Sequence, residues 1–331
     1  MNAATVLAAA RETRHLEGLD CSGMDFSGQE LRGVVFERVC LDRTRFENAD
    51  LLGACLSHCS AAGAAFTAAR LEQACMRNVN LTEAGFRGCR ARLASWRNVA
   101  CDRADFSRAD LERAVLQDCS LAGVRFPGAN LHRASLLSMD CTKIVLQDTN
   151  LSMALLNGSD FSDTAFPGCD VRKAMFADAR LDRVDLMGQD ITQCDLSRAS
   201  LLEADLRGSS GRWVRFCAAD LQGARLAGAR LLAVDFTQAR LNRADFVRTE
   251  LEASCFREAD CTQTVFHHAG LQYADFSLAV LREADFSGAR LSMANLHRSE
   301  QTGALWNGAD TATVRRTDQR LAAAETWQPN P

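Results

Sequence analysis

Hydrophobic positions in this chain recur every fifth residue. From about Leu16 to about Trp306, almost every fifth residue is Leu or Phe, and the residue two before it is small. Ala49-Asp50-Leu51, Ala54-Cys55-Leu56, Ala64-Ala65-Phe66 and Ala69-Arg70-Leu71 keep the same phase as Ala239-Arg240-Leu241, Ala244-Asp245-Phe246 and Ala284-Asp285-Phe286. A period of five fits neither regular element. On a helix, five steps of about 100° advance the Leu/Phe set by about 140°, so it would spiral around every side. On a continuous strand an odd period sends successive members to opposite faces. A bend after each short extended piece removes the conflict. The central Leu/Phe and the small residue two before it then both point inward, and the residue between them points out. The two residues after the centre make the corner.

Glycine fits the corners. Gly28, Gly88, Gly128, Gly168, Gly188, Gly208, Gly228, Gly288 and Gly308 all lie two residues after a centre, at multiples of twenty from one another. Twenty residues are four units, so the pattern predicts an all-β, four-sided coil stacked at the ordinary inter-strand spacing of about 4.8 Å. About fourteen coils fit. The centres sort by face: Phe26, Phe46, Phe66, Phe86, Phe106 and Phe126 form one ladder, and Phe216, Phe236, Phe256 and Phe276 another. The inner partners stay small because a narrow tube cannot hold large residues at both levels without overpacking.

The pattern Ala-Asp/Asn-Leu/Phe-X-X, as in Ala104-Asp105-Phe106-Ser107-Arg108-Ala109-Asp110-Leu111, resembles that of the pentapeptide-repeat family over about 290 residues, nearly the whole chain. The resemblance implies a right-handed quadrilateral β-helix. It also implies a bacterial, non-catalytic protein-binding scaffold, one version being an accessory or adaptor protein of a type VI-like secretion system. The alternative is a DNA-mimicking modulator of DNA gyrase or topoisomerase.

The expected organisation is a helical N-terminal cap over 1–15, a repeat β-helix over 16–310 and a C-terminal cap or tail over 311–331. Solenoid ends need covering because they expose apolar surface and unpaired strand edges. A helix in the last segment either covers the end or joins two copies into a homodimer, as in some members of that family. Four Pro and no Ser/Gly/Pro-rich linker argue against further domains.

Composition narrows the rest. No run approaches 18 apolar residues, so no membrane span is expected, and the first ten residues lack the basic flank of a signal peptide. Of the fourteen Cys, Cys21, Cys101, Cys141 and Cys261 take centres, and Cys59, Cys89, Cys119, Cys169 and Cys194 take small inner positions. Used as small hydrophobes, they fit a reducing cytoplasm. Cys55 and Cys75 point outward one coil apart, either as two free thiols or as a bridge.

No nucleotide loop, Cys-x-x-Cys pair or nucleophile elbow occurs, so no catalytic residue, cofactor or metal ligand is assigned. His267-His268 is the one close His pair and lies outward. The many carboxylates, such as Asp105, Asp110 and Asp190, sit where the repeat already places Asp or Asn. A formal net charge of −4 is small for a DNA mimic, and arginines interrupt the acidic column Glu30, Asp50, Arg70, Arg90, Asp110, Asn130. Direct nucleic-acid binding is not expected, because the basic residues form no stripe.

One outward column departs from the polar pattern: Val35, Cys55, Cys75, Ser95, Val115, Ser135, Leu155, Met175. With Leu137 on the same face, Met153 and Lys173 at the adjoining corner, and Trp213, Tyr273 and Met293 further along, it forms the candidate protein-contact edge. Two places break the repeat. Ala91 and Trp96 hold centres between Arg87 and Arg97, and Gly211 holds one in Arg207–Trp213. A pinch or bulge is expected there, with Trp213 folding over the gap at Gly211.

Overall fold

The computed structural model describes residues 2–327 and resolves into two compact units, one running to Met175 and one starting at Phe176. In the first, helix α1 (Ala3–Thr13) is capped by the Asn2 side chain, which accepts from the Thr5 N–H. It ends at Arg14, in the left-handed region at φ 51°. His15 therefore leaves the helix earlier than its expected limit at 15 and begins the first coil. Val6 and Ala10, each 1% exposed, turn the apolar face of α1 inward.

Seven short strands follow at twenty-residue intervals: β1 (His15–Glu17), β2 (Val35–Glu37), β3 (Cys55–Ser57), β4 (Cys75–Arg77), β5 (Ser95–Arg97), β6 (Val115–Gln117) and β7 (Ser135–Leu136). They pair in parallel and in sequence order, always residue i with i+20. Single-residue parallel bridges carry the same register on the other faces, for example Asp25 with Arg45 and Glu30 with Asp50, and extend it to Leu155 with Met175. The second unit repeats the scheme with β8 (Ser210–Arg212), β9 (Arg230–Leu232) and bridges from Arg180–Ser200 to Asn295–Arg315. The register spans about eight coils in the first unit and about seven in the second, so the coil number differs slightly from fourteen.

The centres are the core. All ten Phe of the two expected ladders are at most 1% exposed. Phe46, Phe66, Phe86 and Phe106 stack with ring centroids 4.6 to 5.0 Å apart, and Phe216, Phe236, Phe256 and Phe276 do likewise at 4.6 to 5.0 Å. Several threonines at the small inner position bond to the coil before, whereas the buried Ser209 hydroxyl has no partner. The hydroxyls of Thr44, Thr149 and Thr264 donate to the carbonyls of Cys21, Phe126 and Leu241 at 2.7 to 2.9 Å, so their burial leaves no orphan.

Corners after Cys21, Phe26 and Leu31 close with an N–H to C=O bond of 3.1 to 3.2 Å and a positive φ at the third residue, as in a type II turn. Gly fills some of these positions, but Arg43, Asn48, His58 and Ala68 adopt the same left-handed geometry. On the face of β1–β6 the extended piece continues one residue past the centre. There the Cys59 and Cys119 thiols approach the carbonyls of Phe36 and Trp96 at 3.3 and 3.6 Å.

Neither degenerate stretch distorts its coil. Arg90 keeps its bridges to Arg70 and Asp110. Ala91 and Trp96 are both buried, and the Trp96 ring lies 5.3 and 5.2 Å from those of Phe86 and Phe106. Gly211 pairs with Leu231 in register. Its expected gap is absent because Val214 and Ile191 fill it: a Cβ at 211 would stand 2.8 and 3.1 Å from their methyl and methylene carbons. Trp213, 59% exposed, does not fold over.

At the far end, helix α2 (Gln319–Thr326) is capped by Asp318 and lies against the flank of its unit. Glu325 meets His297 at 3.2 Å and Arg298 at 2.8 Å, and the Asp318 N–H donates to His297 Nδ1. The inner positions of the last coil, Ala304, Trp306, Ala309, Thr311 and Val314, are half-buried rather than buried.

Candidate protein-contact surface

Stacking at i and i+20 turns each outward position into a column. In the first unit Val115, Ser135, Leu155 and Met175 follow one another by direct bridges. Their N–H groups donate to Ala94, Ala114, Ala134 and Ala154 at 2.8 to 2.9 Å. The backbone is thus pinned while the side chains stand out. Val115 and Leu155 are 41% exposed, Leu137 on the same face 46%, and Met175 is half-buried. Met153, half-buried, and Lys173, exposed, occupy consecutive corners at φ 59° and 61°, linked by the Met153 N–H to Arg172 carbonyl bond of 3.0 Å.

Leu93 belongs to the same corner column and is 51% exposed. Sequence reasoning missed it, although its place two residues after the centre Ala91 carried the same signal as Met153. Val145 and Met187, at 39% and 55%, lie on other columns.

Trp213, Tyr273 and Met293 belong to the second unit. They share a corner column with Ala233 and Ala253 between them, all at positive φ, and are 59%, 58% and 41% exposed. A shallow concavity of about 270 Å³ lies beside Trp213, lined also by Leu232, Ala233 and Ala253.

The charged columns are largely self-compensated. Asp50 accepts from Arg32 at 2.6 Å and Arg70 at 2.9 Å, and Asp205 from Arg207 at 2.6 Å and Arg225 at 3.2 Å. The Arg207 side chain holds the Asp205 carboxyl below the usual carboxylate range. Other carboxylates close their own corner: the Thr142 N–H and hydroxyl both donate to Asp140 and hold its carboxyl low. His15, Glu17 and Glu37 come close enough to share a cation, but Arg38 already pairs with both carboxylates. Among the described residues no helix is long and apolar enough to cross a membrane.

Eight copies of the pentapeptide-repeat family model match the chain, over residues 15–48, 44–83, 101–136, 140–176, 179–210, 219–258, 244–282 and 259–298. No curated protein matches. Among solved structures, the chain is similar to full-length QnrB1, a plasmid-mediated fluoroquinolone resistance protein, at 18% identity over 57% of this chain and 94% of that one, with a TM-score of 0.40. It is similar to HetL, a pentapeptide repeat protein involved in heterocyst differentiation regulation from Nostoc sp. strain PCC 7120, at 20% identity over 96% and 98%, with a TM-score of 0.21. A pentapeptide repeat protein from the Arabidopsis thaliana thylakoid lumen matches at 25% identity over 42% and 77%, with a TM-score of 0.22. The chain belongs to the pentapeptide-repeat family, and its fold is that family's right-handed quadrilateral β-helix.

Proposed function

We propose that this protein is a non-catalytic scaffold that docks a partner protein on the apolar column of its first unit. The observation that carries the reading is Val115, Leu137 and Leu155 standing 41 to 46% exposed on one rigid face, where the repeat ordinarily places polar residues. Clustered exposed apolar side chains mark contact surfaces, and Met adapts to a partner's shape. Cysteines used as buried small hydrophobes, such as Cys101 and Cys261, support a reducing compartment such as the bacterial cytoplasm. The resemblance extends the reading to an adaptor of a type VI-like secretion machine. The gyrase-directed mimic is the weaker alternative, because arginines neutralise the carboxylate columns that mimicry would need.

The test is an affinity pull-down from the native cell lysate with the wild type and with Leu155→Asp/Met175→Asp. Circular dichroism should show the variant folded, since both substitutions lie outside the tube. Loss of one protein from the variant sample alone is the expected result, and a secretion component in that role would support the adaptor version. Equal recovery of every protein by both baits removes the column from the account; gyrase among them makes the mimic the better reading.

A second reading concerns self-association. The half-buried inner positions of the last coil favour two copies meeting there, since such ends attract cover. Light scattering should give two chains per particle for the wild type and one for Thr311→Arg; a monomeric wild type ends this reading.

A further inference from the structure

We propose that Cys55 and Cys75 form a two-thiolate clip for a monovalent soft cation of the copper(I) class. Both residues lie on the first unit, on β3 and β4, as direct partners in parallel register. The Cys55 N–H is held by the Val34 carbonyl and the Cys75 N–H by the Ala54 carbonyl, each at 2.9 Å. The two residues are therefore separated by one coil repeat, about 4.8 Å. Both are half-buried and unbonded. They touch each other: burial first, then Cys75 by its charge and its hydrogen bond, push the Cys55 thiol up.

That separation selects among thiol chemistries. A disulfide wants its two Cβ atoms about 3.8 Å apart and its sulfurs at about 2.05 Å. Side chains on in-register parallel strands leave the backbone in the same direction, so closing the bond would pull two pinned coils together. Two thiolates whose backbones lie one coil repeat apart can instead share one two-coordinate ion, the sulfurs turning on their own side-chain torsions while both coils stay in place. Thiolates select soft copper(I) over harder ions. A structural zinc needs four ligands. The nearest further thiol, Cys59, is 4% exposed and already directed at the Phe36 and Ser57 carbonyls.

Binding forms two metal–sulfur bonds and releases two protons to solvent, with no change of oxidation state. The product carries one net negative charge, and Arg77 on the same strand as Cys75 already acts to favour charge on Cys55. The column tolerates apolar replacement, since Val35 and Val115 occupy it elsewhere. Valine variants at 55 and 75 should therefore fold.

The test is an anaerobic titration of the reduced protein with copper(I) against bicinchoninate, for the wild type, Cys55→Val, Cys75→Val and Cys59→Ser. The expected result is one tightly held equivalent that disappears in either valine variant and persists in Cys59→Ser, with an X-ray absorption signature of two sulfur ligands. Equal retention by all four proteins, or loss in Cys59→Ser with its circular dichroism intact, would overturn the proposal. So would a Cys55–Cys75 disulfide forming readily in air, because it would show that the coil repeat does yield.

Discussion

Phe86→Ala is expected to destabilise the first unit by about 4 kcal/mol, near the middle of the usual range for a large aromatic truncated in a core. Phe86 is 0% exposed, stacked between Phe66 at 4.8 Å and Phe106 at 4.6 Å, with the Trp96 ring at 5.3 Å. The tube cannot collapse onto the hole. Each wall is one backbone thick and pinned to its neighbours, as by the Phe86 N–H to Asp105 carbonyl bond of 2.7 Å. The two ring contacts along the ladder go with the side chain, at about 1 kcal/mol each. Because a solenoid's stability is a sum over adjacent repeats, the loss should stay local. Hydrogen exchange should rise first in the coils holding Phe66, Phe86 and Phe106, and amides of the second unit should keep their protection. Leu155→Ala, on the outer surface, should change stability by no more than about 0.5 kcal/mol. Comparable urea midpoints for Phe86→Ala and Leu155→Ala would contradict this account of the core.

Gly211→Ala is expected to destabilise the second unit by about 1–3 kcal/mol, and Gly211→Leu by more, although the repeat puts Leu at more centres than any other residue. The backbone of Gly211 is not in the left-handed region, so conformational strain is not the cause. The new Cβ would stand 2.8 Å from Val214 Cγ2 and 3.1 Å from Ile191 Cγ1, both in the buried interior. The sign is testable by rescue. Val214→Ala alone opens a small cavity and destabilises; combined with Gly211→Ala it removes the clash it was filling. The pair should be coupled by more than about 0.5 kcal/mol in the compensating direction. Simple additivity would show that Val214 does not occupy the space left at Gly211.

These two positions mark where sequence reasoning succeeds and where it stops. The Phe ladders are legible because phase alone assigns each centre to a face, and stacking follows from a spacing of twenty. The fill at Gly211 and the packing of Trp96 against Phe86 and Phe106 are not legible, because they depend on contacts between different faces of the tube. A missing side chain therefore looked like a gap when a neighbour had taken its place. Corner geometry shows the same limit. The glycine stripe pointed to tight corners along one edge, yet Arg43, His58 and Leu93 take the left-handed corner conformation without being glycine. Neighbouring coils impose it there whatever the side chain. The outward placing of Val115, Leu155 and Met175 was readable because outward positions are fixed by the same phase. The flank docking of α2 was not, since it depends on His297 accepting from the Asp318 N–H, a pairing that no periodicity announces.

Every surface assignment rests on columns of residues twenty apart. The most direct measurement is a through-space amide NMR spectrum of the perdeuterated protein, with resonances assigned along Val35, Cys55, Cys75, Ser95 and Val115. The account predicts amide–amide contacts between each of these and the residue twenty positions on, and their recurrence along Arg215, Asp235, Cys255 and Asp275 in the second unit. Contacts at fifteen or twenty-five residues, or none beyond near neighbours in sequence, would contradict the four-sided coil, and with it both the contact column and the thiol clip.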